Sequence, residues 1–553
     1  MKKVLITTAL PYPNWPMHLW HVVWNHLPAD IFYRFQKMLW NDVYIVWWTD
    51  DHGVAIEIAA QKYGTTEELI VKSFNRDYVD ELTKISIEYD IFSWTHSSEH
   101  EEIAKQFFLN VDKNWFIEKR MQKQAYCNKC QKFLPDRYIE WTCPHCKTPG
   151  ARWDQCETCG KLLDPVDLID PVCKICGSMD IIQKDTYHYY FLLSKLQDKL
   201  QAWLDTKDEW KKNVIWTAFK WLNEWLEDRA ISRDINRWIK IPNDETKKMY
   251  VWFEALLWYI SFSKQLGDRL NRDILNEFWA DPDAEIINFL GKDNIVFHTI
   301  IWPAILMADG RFQLPKYVCG NEFLNLEWKK FSTSRNFAVW LKEIVEAFDG
   351  DVIRYYLTYC IPERRDSNFS WDEFKEKNNE LANILGNLVN RVITFSVNKF
   401  EWEFEKFDIN TLWENAQSLL DNLWNTQMEF WQNLSNFRFR DGLVNVLTLI
   451  KDVNKYFNDS EPWVVAKTDA AKARNIINFC LYMLINIAIL LQPYLPQTSK
   501  KILTAFGLEN EVFWLNDVNN LSLPKNIKIK NIPILFKKLE EVDIALFKEK
   551  LWL

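Results

Sequence analysis

Glycine is the scarce residue in this chain. There are 13 Gly against 30 Trp in 553 residues, whereas average usage of about 7% would give roughly 39 glycines. Glycine lets a backbone enter the left-handed region or approach a neighbour closely. A chain this short of it must avoid such places or fill them with something else. Gly and Trp together come to 43, close to the glycine expectation. Either the protein is Trp-rich, or many Trp letters stand at positions built for glycine.

The length suggests three or four domains. Apolar residues make up 48% and charged residues 26%, as in ordinary globular proteins. No run of 18 or more apolar residues predicts a membrane span, so no membrane partner and a cytoplasmic location are expected. The N-terminus has a short apolar run that meets Pro11, Tyr12, Pro13 and Asn14 at once, which reads as a buried first strand rather than a signal peptide. Net charge is −9, so nucleic-acid contact would need local basic patches.

Residues 3–9 read as a strand, 19–37 as a helix and 42–48 as a second strand, a βαβ unit with a parallel sheet. Ligands bind such sheets outside the carboxyl ends of the strands. The polar clusters around His18 and Asp50 fall there. Residues 116–184 are loop-rich and full of cysteine. The αβ pattern resumes near Tyr187 and includes a strand at 285–290 ending in Gly291, Lys292, Asp293 and Asn294. After about Gly350 the pattern is helical, with 516–533 reading as a linker before a last amphipathic helix.

Eight of the 11 cysteines form four C-x-x-C pairs: Cys127/Cys130, Cys143/Cys146, Cys156/Cys159 and Cys173/Cys176. Two thiolates two residues apart bite one tetrahedral Zn²⁺, and two pairs close a site. Four pairs imply two structural zincs. Disulfides are the alternative, disfavoured because no secretion signal precedes them. Sequential and nested pairings are both allowed by the loop lengths.

His18-Leu19-Trp20-His21 opens the first helix, where the positive end of the dipole suits ATP phosphates. Far downstream, Lys329-Lys330-Phe331-Ser332-Thr333-Ser334-Arg335 could stabilise charge on a pyrophosphate leaving group. In this order the two stretches resemble the HIGH and KMSKS signatures of class I aminoacyl-tRNA synthetases. Ala9-Leu10-Pro11-Tyr12-Pro13-Asn14, Thr49-Asp50-Asp51-His52-Gly53, Ile231-Ser232-Arg233-Asp234, Tyr250-Val251-Trp252-Phe253-Glu254-Ala255, Gly291-Lys292-Asp293-Asn294, Phe297-His298, Trp302-Pro303-Ala304 and Glu461-Pro462-Trp463 narrow the resemblance to the methionyl-tRNA synthetase family. It is similar to the archaeal-type branch and covers nearly the whole chain.

The resemblance implies an α/β fold: a Rossmann-type parallel-sheet catalytic domain with a zinc-knuckle insertion, followed by an α-helical anticodon-binding bundle. The expected divisions are 1–115 and 185–322 for the two catalytic halves and 116–184 for the insertion. The KMSKS-loop stem-contact domain takes 323–380, and the anticodon domain 381–553. It implies that Asp50 holds the methionine ammonium and that Leu10, Tyr12, Trp252, Ala255, Tyr259 and His298 line the side-chain pocket. A thioether suits such flat, polarizable walls. His18, His21 and Lys330 would bind ATP phosphates with Mg²⁺, Asp293 the ribose, and Arg233 the reacting groups. The second Lys of KMSKS is Thr333 here, which shifts charge stabilisation onto Lys330 with Lys329. Asn383, Asn387 and Arg391 recur on one helix face and would read the anticodon of tRNA(Met), with Trp463 stacking a base.

The same resemblance implies that Cys143, Cys146, Cys156 and Cys159 hold the first zinc. Cys127, Cys130, Cys173 and Cys176 then hold the second, a nested arrangement. It also implies glycine at Trp15, Trp20, Trp24, Trp40, Trp48, Trp115, Trp141, Trp153, Trp225, Trp238, Trp258 and Trp328. Two readings of that departure remain: a paralogue that binds tRNA without catalysis, or a gene in which UGA encodes glycine. Synthetases for leucine, valine or isoleucine are disfavoured because the insertion is taken up by cysteine knuckles rather than editing machinery. A cysteinyl enzyme is disfavoured because all eight paired cysteines read as structural. A monomer is expected.

Overall fold

The computed structural model describes residues 1–51, 54–94, 97–134, 138–149, 169–234, 239–332, 337–400, 403–412, 415–523 and 527–551. Strand β1 (Lys3–Thr8) buries every residue after the first, the pattern of a strand covered on both faces. With β2 (Asp42–Thr49) and β3 (Ile91–Trp94) it forms one side of a parallel sheet. Strands Glu285–Gly291 and Tyr317–Asn321 form the other side, and the strand from 285 pairs directly with β1. The chain therefore builds outward from β1 in both directions. The register from Val4↔Glu285 to Thr8↔Phe289 sets two carboxyl ends side by side. That is the topological switch point, where open α/β sheets bind ligands. The helical run α1 (19–38) leaves from it. It comprises Leu19–His21, a wide π turn at Val22–His26, and Leu27–Met38.

The cysteine-rich insertion projects on an antiparallel ribbon, β4 (Ile117–Cys127) with β5 (Ile181–Phe191). Its register runs from Ile117↔Phe191 to Cys127↔Ile181, so both ends of the insertion are carried outward together. For the strands already mentioned we use β6 (Glu285–Gly291) and β7 (Tyr317–Asn321).

The C-terminal half is helical: α2 (Gly350–Cys360), α3 (Asn387–Lys399), α4 (Asn415–Ser435), α5 (Phe439–Asp459), α6 (Ala470–Leu491) and α7 (Pro496–Ala505). On α4, Ala416, Leu419, Leu423, Phe430 and Leu434 make one buried stripe, the spacing of an amphipathic helix. Helix α6 is long and apolar enough to cross a membrane, but 83% of its most apolar window is buried inside the bundle. Such a helix, apolar all round, is what a core position requires. The segment expected to be a linker is not wholly irregular. Ile527–Lys528 pairs antiparallel with Glu403–Phe404, because Ile527 and Ile529 both bury against the core.

Arg354 on α2 has no exposed side-chain surface. Its guanidinium lies 2.6 Å from Asp30 on α1. It also donates to the carbonyls of Tyr494 at 2.8 Å, Pro493 at 2.6 Å and Ile85 at 3.1 Å. Burial pulls its pKa down, opposed chiefly by the Asp30 carboxylate. Arg354→Met leaves those acceptors buried without donors. It should destabilise the protein by about 3–5 kcal/mol, measured as a fall in the urea midpoint at unchanged slope.

Candidate active site

His18 caps α1 with an extended backbone, and its N–H donates to the Nδ1 of His21 at 3.3 Å. The two imidazoles stack with centroids 3.9 Å apart. Burial pushes the pKa of His18 well below its usual value, and the neighbouring His21 adds to the effect. Burial likewise lowers His21 to about 4. At neutral pH both rings are uncharged and act as N–H donors beside the helix N-terminus. Positive charge must come from elsewhere.

Cationic side chains are carried by the distant lysine segment. Lys329–Lys330 forms a short strand against Leu324–Leu326, and the next residue, Phe331, places its ring 5.3 Å from that of His18. Backbone ties secure the meeting: Leu19 N–H donates to Val339 at 3.0 Å, and Leu341 N–H to Met17 at 2.7 Å. The two signature stretches are therefore in direct contact, through a phenylalanine that sequence reasoning passed over. Thr333, Ser334 and Arg335 lie outside the described residues, as do His52 and Gly53.

After β6 the chain supplies Lys292 and Asp293. Lys292 Nζ bonds Glu322 at 2.7 Å and Asp366 at 2.9 Å, and lies 3.8 Å from the Phe323 ring centroid. Burial raises the Asp293 pKa, while Lys292 and Lys330 oppose the rise. Trp20 and Trp24 occupy the same cleft. Trp20 meets Phe323 edge-on at 5.0 Å and lies 6.0 Å from Trp24. Both indole N–H groups are buried without a hydrogen-bond partner.

On the other side of β1, Tyr259 is fully buried and its hydroxyl lies 2.6 Å from His298 Nε2. His298 Nδ1 lies 2.9 Å from the Asn294 carbonyl. A carbonyl only accepts, so Nδ1 carries the proton and Nε2 accepts from the tyrosine. Burial lowers His298 to about 4. Trp252 and Ala255 stand half-buried on the short helical turns Val251–Glu254 and Ala255–Leu257. Leu10 is half-buried and Tyr12 exposed on the loop after β1. Asp50 is buried at the end of β2, and its N–H donates to Pro11 at 3.0 Å. Arg233 stacks on Tyr250 with 3.6 Å to the ring centroid and donates to the carbonyl of Ser232 at 2.9 Å.

At the tip of the ribbon the sulfurs of Cys127, Cys130, Cys173 and Cys176 all lie within 4.8 Å of one another. Cys127 and Cys176 are 3.7 Å apart, and Cys130 and Cys173 are 3.9 Å apart. Cys143 is buried and Cys146 exposed. Cys156 and Cys159 lie outside the described residues. In the helical region Asn383 and Asn387 are exposed. Arg391 bonds Asn458 at 2.7 Å and lies 5.4 Å from the Trp463 ring centroid. Trp463 is 37% exposed, leaving one face for another ring.

Comparison with known proteins adds a second line. A family model described as tRNA synthetases class I (M) matches residues 4–393. One described as the anticodon binding domain of methionyl tRNA ligase matches 410–552. The methionine–tRNA ligase of Methanocaldococcus jannaschii is 40% identical over 551 residues, covering 100% of this chain and 81% of that protein. That of Bacteroides fragilis is 38% identical over 563 residues, with 100% and 81% covered. Among solved structures, Mycobacterium tuberculosis methionyl-tRNA synthetase bound by methionyl-adenylate superposes with a TM-score of 0.80 at 22% identity. The match covers 97% of this chain and 100% of that one.

Buried neutral histidines make stability pH-dependent. His298 is lowered to about 4 and His188, on β5, to about 3. The unfolded chain takes up these protons below its ordinary value near 6.5, while the folded chain does not. Stability is therefore complete above pH 6.5 and is lost as pH falls from there towards 4. Each histidine contributes at most ~1.4 kcal/mol per pH unit. Urea midpoints measured at pH 7 and pH 5 should fall accordingly, and His298→Gln should flatten the dependence.

Proposed function

Because the chain belongs to the methionine–tRNA ligase family of class I aminoacyl-tRNA synthetases, we propose the following division of its reaction among its residues. The methionine carboxylate attacks the α-phosphate of ATP, pyrophosphate leaves, and the adenylate forms. A hydroxyl of the terminal tRNA ribose then attacks the methionyl carbonyl, and AMP leaves. No covalent enzyme intermediate is needed, so catalysis is positioning plus charge stabilisation. The observation that carries this reading is the contact of His18 with Phe331 at the switch point. It brings a helix N-terminus and a lysine loop together, which supports a reading in which both act on the same phosphates. His18 and His21 donate to phosphate oxygens as neutral imidazoles, and Lys330, aided by Lys329, supplies cationic charge as pyrophosphate departs. Mg²⁺ accompanies the ATP. Asp293 holds the ribose, and Arg233, oriented by its stack on Tyr250, faces the reacting groups.

Asp50 pairs with the methionine ammonium. Leu10, Tyr12, Trp252, Ala255, Tyr259 and His298 enclose the thioether. Asn383, Asn387, Arg391 and Trp463 read the anticodon, and the cation–π contact of Arg391 supports the Trp463 ring. The enzyme works in the cytoplasm with methionine, ATP and tRNA(Met).

The four outer cysteines are spaced for a zinc ion. Zn–S bonds of about 2.3 Å in a tetrahedron set sulfurs about 3.8 Å apart, which the distances of 3.7 and 3.9 Å fit. We assign a second zinc to Cys143, Cys146, Cys156 and Cys159. These ions are structural: with four thiolates each they leave no open position.

Asp50→Ala should reduce methionine-dependent ATP–pyrophosphate exchange on the order of a hundredfold or more, because the ammonium would be buried unpaired. Trp463→Ala and Arg391→Ala should weaken tRNA charging while leaving exchange within a few-fold. Equal losses in both assays would remove those residues from anticodon reading. Metal analysis should find about two zincs per chain, and Cys127→Ser with Cys173→Ser should lower that to about one.

A further inference from the structure

Four tryptophans hold a backbone conformation that a bulky L residue adopts only under strain: Trp40 at φ 58°, Trp115 at 64°, Trp225 at 58° and Trp328 at 63°. Among the described residues with positive φ, tryptophan outnumbers asparagine, which contributes Asn243, Asn271 and Asn519. Asparagine is the non-glycine residue that tolerates this region best. The indoles gain little burial in return, since they are 68, 81, 76 and 81% exposed. Each position has a defined structural role. Trp40 N–H donates to Lys37 and Asn41 N–H to Gln36. Trp115 N–H donates to Asp112 and Phe116 N–H to Val111. Both are Schellman turns with tryptophan at the left-handed residue, the place where helices take glycine. Trp225, left-handed just after the helix Lys212–Asn223, donates to Leu222. Glu327 and Trp328 are the two loop residues between Leu326 and its partner Lys329, both at positive φ. That is a type I′ hairpin, whose second loop position prefers glycine.

The cleft repeats the pattern. Trp24 lies so close over Gly291, the last residue of β6, that a Cβ placed there would sit 1.6 Å from the ring. Trp20 packs against it with an unpartnered N–H. The two rings fill the switch point between His18 and Lys292, where the nucleotide belongs. In the core, the indole N–H of Trp258 donates to the His100 ring nitrogen.

We infer that positions 20, 24, 40, 115, 225 and 328 are glycine in the working protein, and that its gene writes them UGA, a codon taken here for tryptophan. One-for-one exchange at helix ends, a hairpin and a ligand cleft alike follows from one codon, whereas drift would scatter the replacements. The part concerning Trp20 and Trp24 rests on the nucleotide site proposed above. The four left-handed positions do not.

Three measurements test it. Peptides of the protein isolated from its own organism should carry glycine at these positions, with UGA in the gene. Tryptophan in the peptides, or UGG codons, overturns the inference. Trp40→Gly, Trp115→Gly, Trp225→Gly and Trp328→Gly introduced together should raise Tm by several degrees, and a fall in Tm counts against it. Trp20→Gly with Trp24→Gly should raise methionine-dependent pyrophosphate exchange at least a hundredfold and lower the KM for ATP. Equal exchange by both chains overturns the cleft assignment. If the peptides carry glycine and Tm rises but neither chain exchanges pyrophosphate, the glycine assignment stands and the catalytic reading fails.

Discussion

A buried guanidinium fixes how the two halves of this molecule sit. Arg354 stays charged even where burial opposes it, because its intrinsic pKa is so high. It must therefore be surrounded by acceptors, and these come from separate parts of the chain. Asp30 comes from the helix that begins at His18, Ile85 from the end of the helix Glu67–Lys84, and Pro493 and Tyr494 from the turn after α6. Nearby, Asp351 accepts from the backbone N–H of Thr498 at 2.5 Å, at the start of α7. The helix that begins at His18 and the bundle that carries Arg391 and Trp463 are locked to the same short helix, α2. A shift of one against the other would leave a buried charge or carbonyl unpaired, at about 1–3 kcal/mol for each neutral group.

Within that frame, electrostatics at the cleft divide by location. The histidines on the buried side are neutral, held so by desolvation. The lysines sit on the exposed side, Lys330 on an exposed hairpin strand and Lys292 already bound to Glu322 and Asp366. In the proposed reaction, buried neutral donors would meet phosphate oxygens without the penalty of burying charge, and an exposed ammonium would approach as negative charge accumulates on the leaving pyrophosphate. Lys330 is the freer of the two lysines to do so, since two carboxylates already engage Lys292.

Much of this was legible in the sequence because it depends on local pattern. The apolar runs at 3–9 and 42–48 became β1 and β2, and the polar residues following them fell at the switch point. Loop lengths allowed either cysteine scheme; the resemblance implied the nested one, and the ribbon brings the sulfurs of Cys127, Cys130, Cys173 and Cys176 within 4.8 Å of one another. Other features have no local signal. Arg354 looks in sequence like any helix arginine, and its role comes entirely from carbonyls brought in by tertiary packing. The contact of Phe331 with His18 has no signature in a motif whose chemistry lies in lysine and hydroxyl groups. The strand Ile527–Lys528 is too short to carry a periodicity.

The helix interruptions show most clearly why a regular reading falls short at the site. One wide π turn, Leu275–Trp279, contains no candidate binding residue, and three others occur at Val22–His26, at Phe297–Ile301 and at Ala382–Gly386. They adjoin His21, contain His298 and contain Asn383. A regular helix places residues four apart on nearly one line, so Asn383, Asn387 and Arg391 were expected to share a single face. The wide turn inserts an extra residue into that count and rotates Asn383 relative to Arg391 around the axis. It also weakens local hydrogen bonding, a cost tolerated mainly where function fixes side-chain direction. Three of the four wide turns among the described residues adjoin or contain candidate binding residues. The directions of His298 and Asn383 follow from the inserted residue, and a strict 3.6-residue period would have pointed them elsewhere.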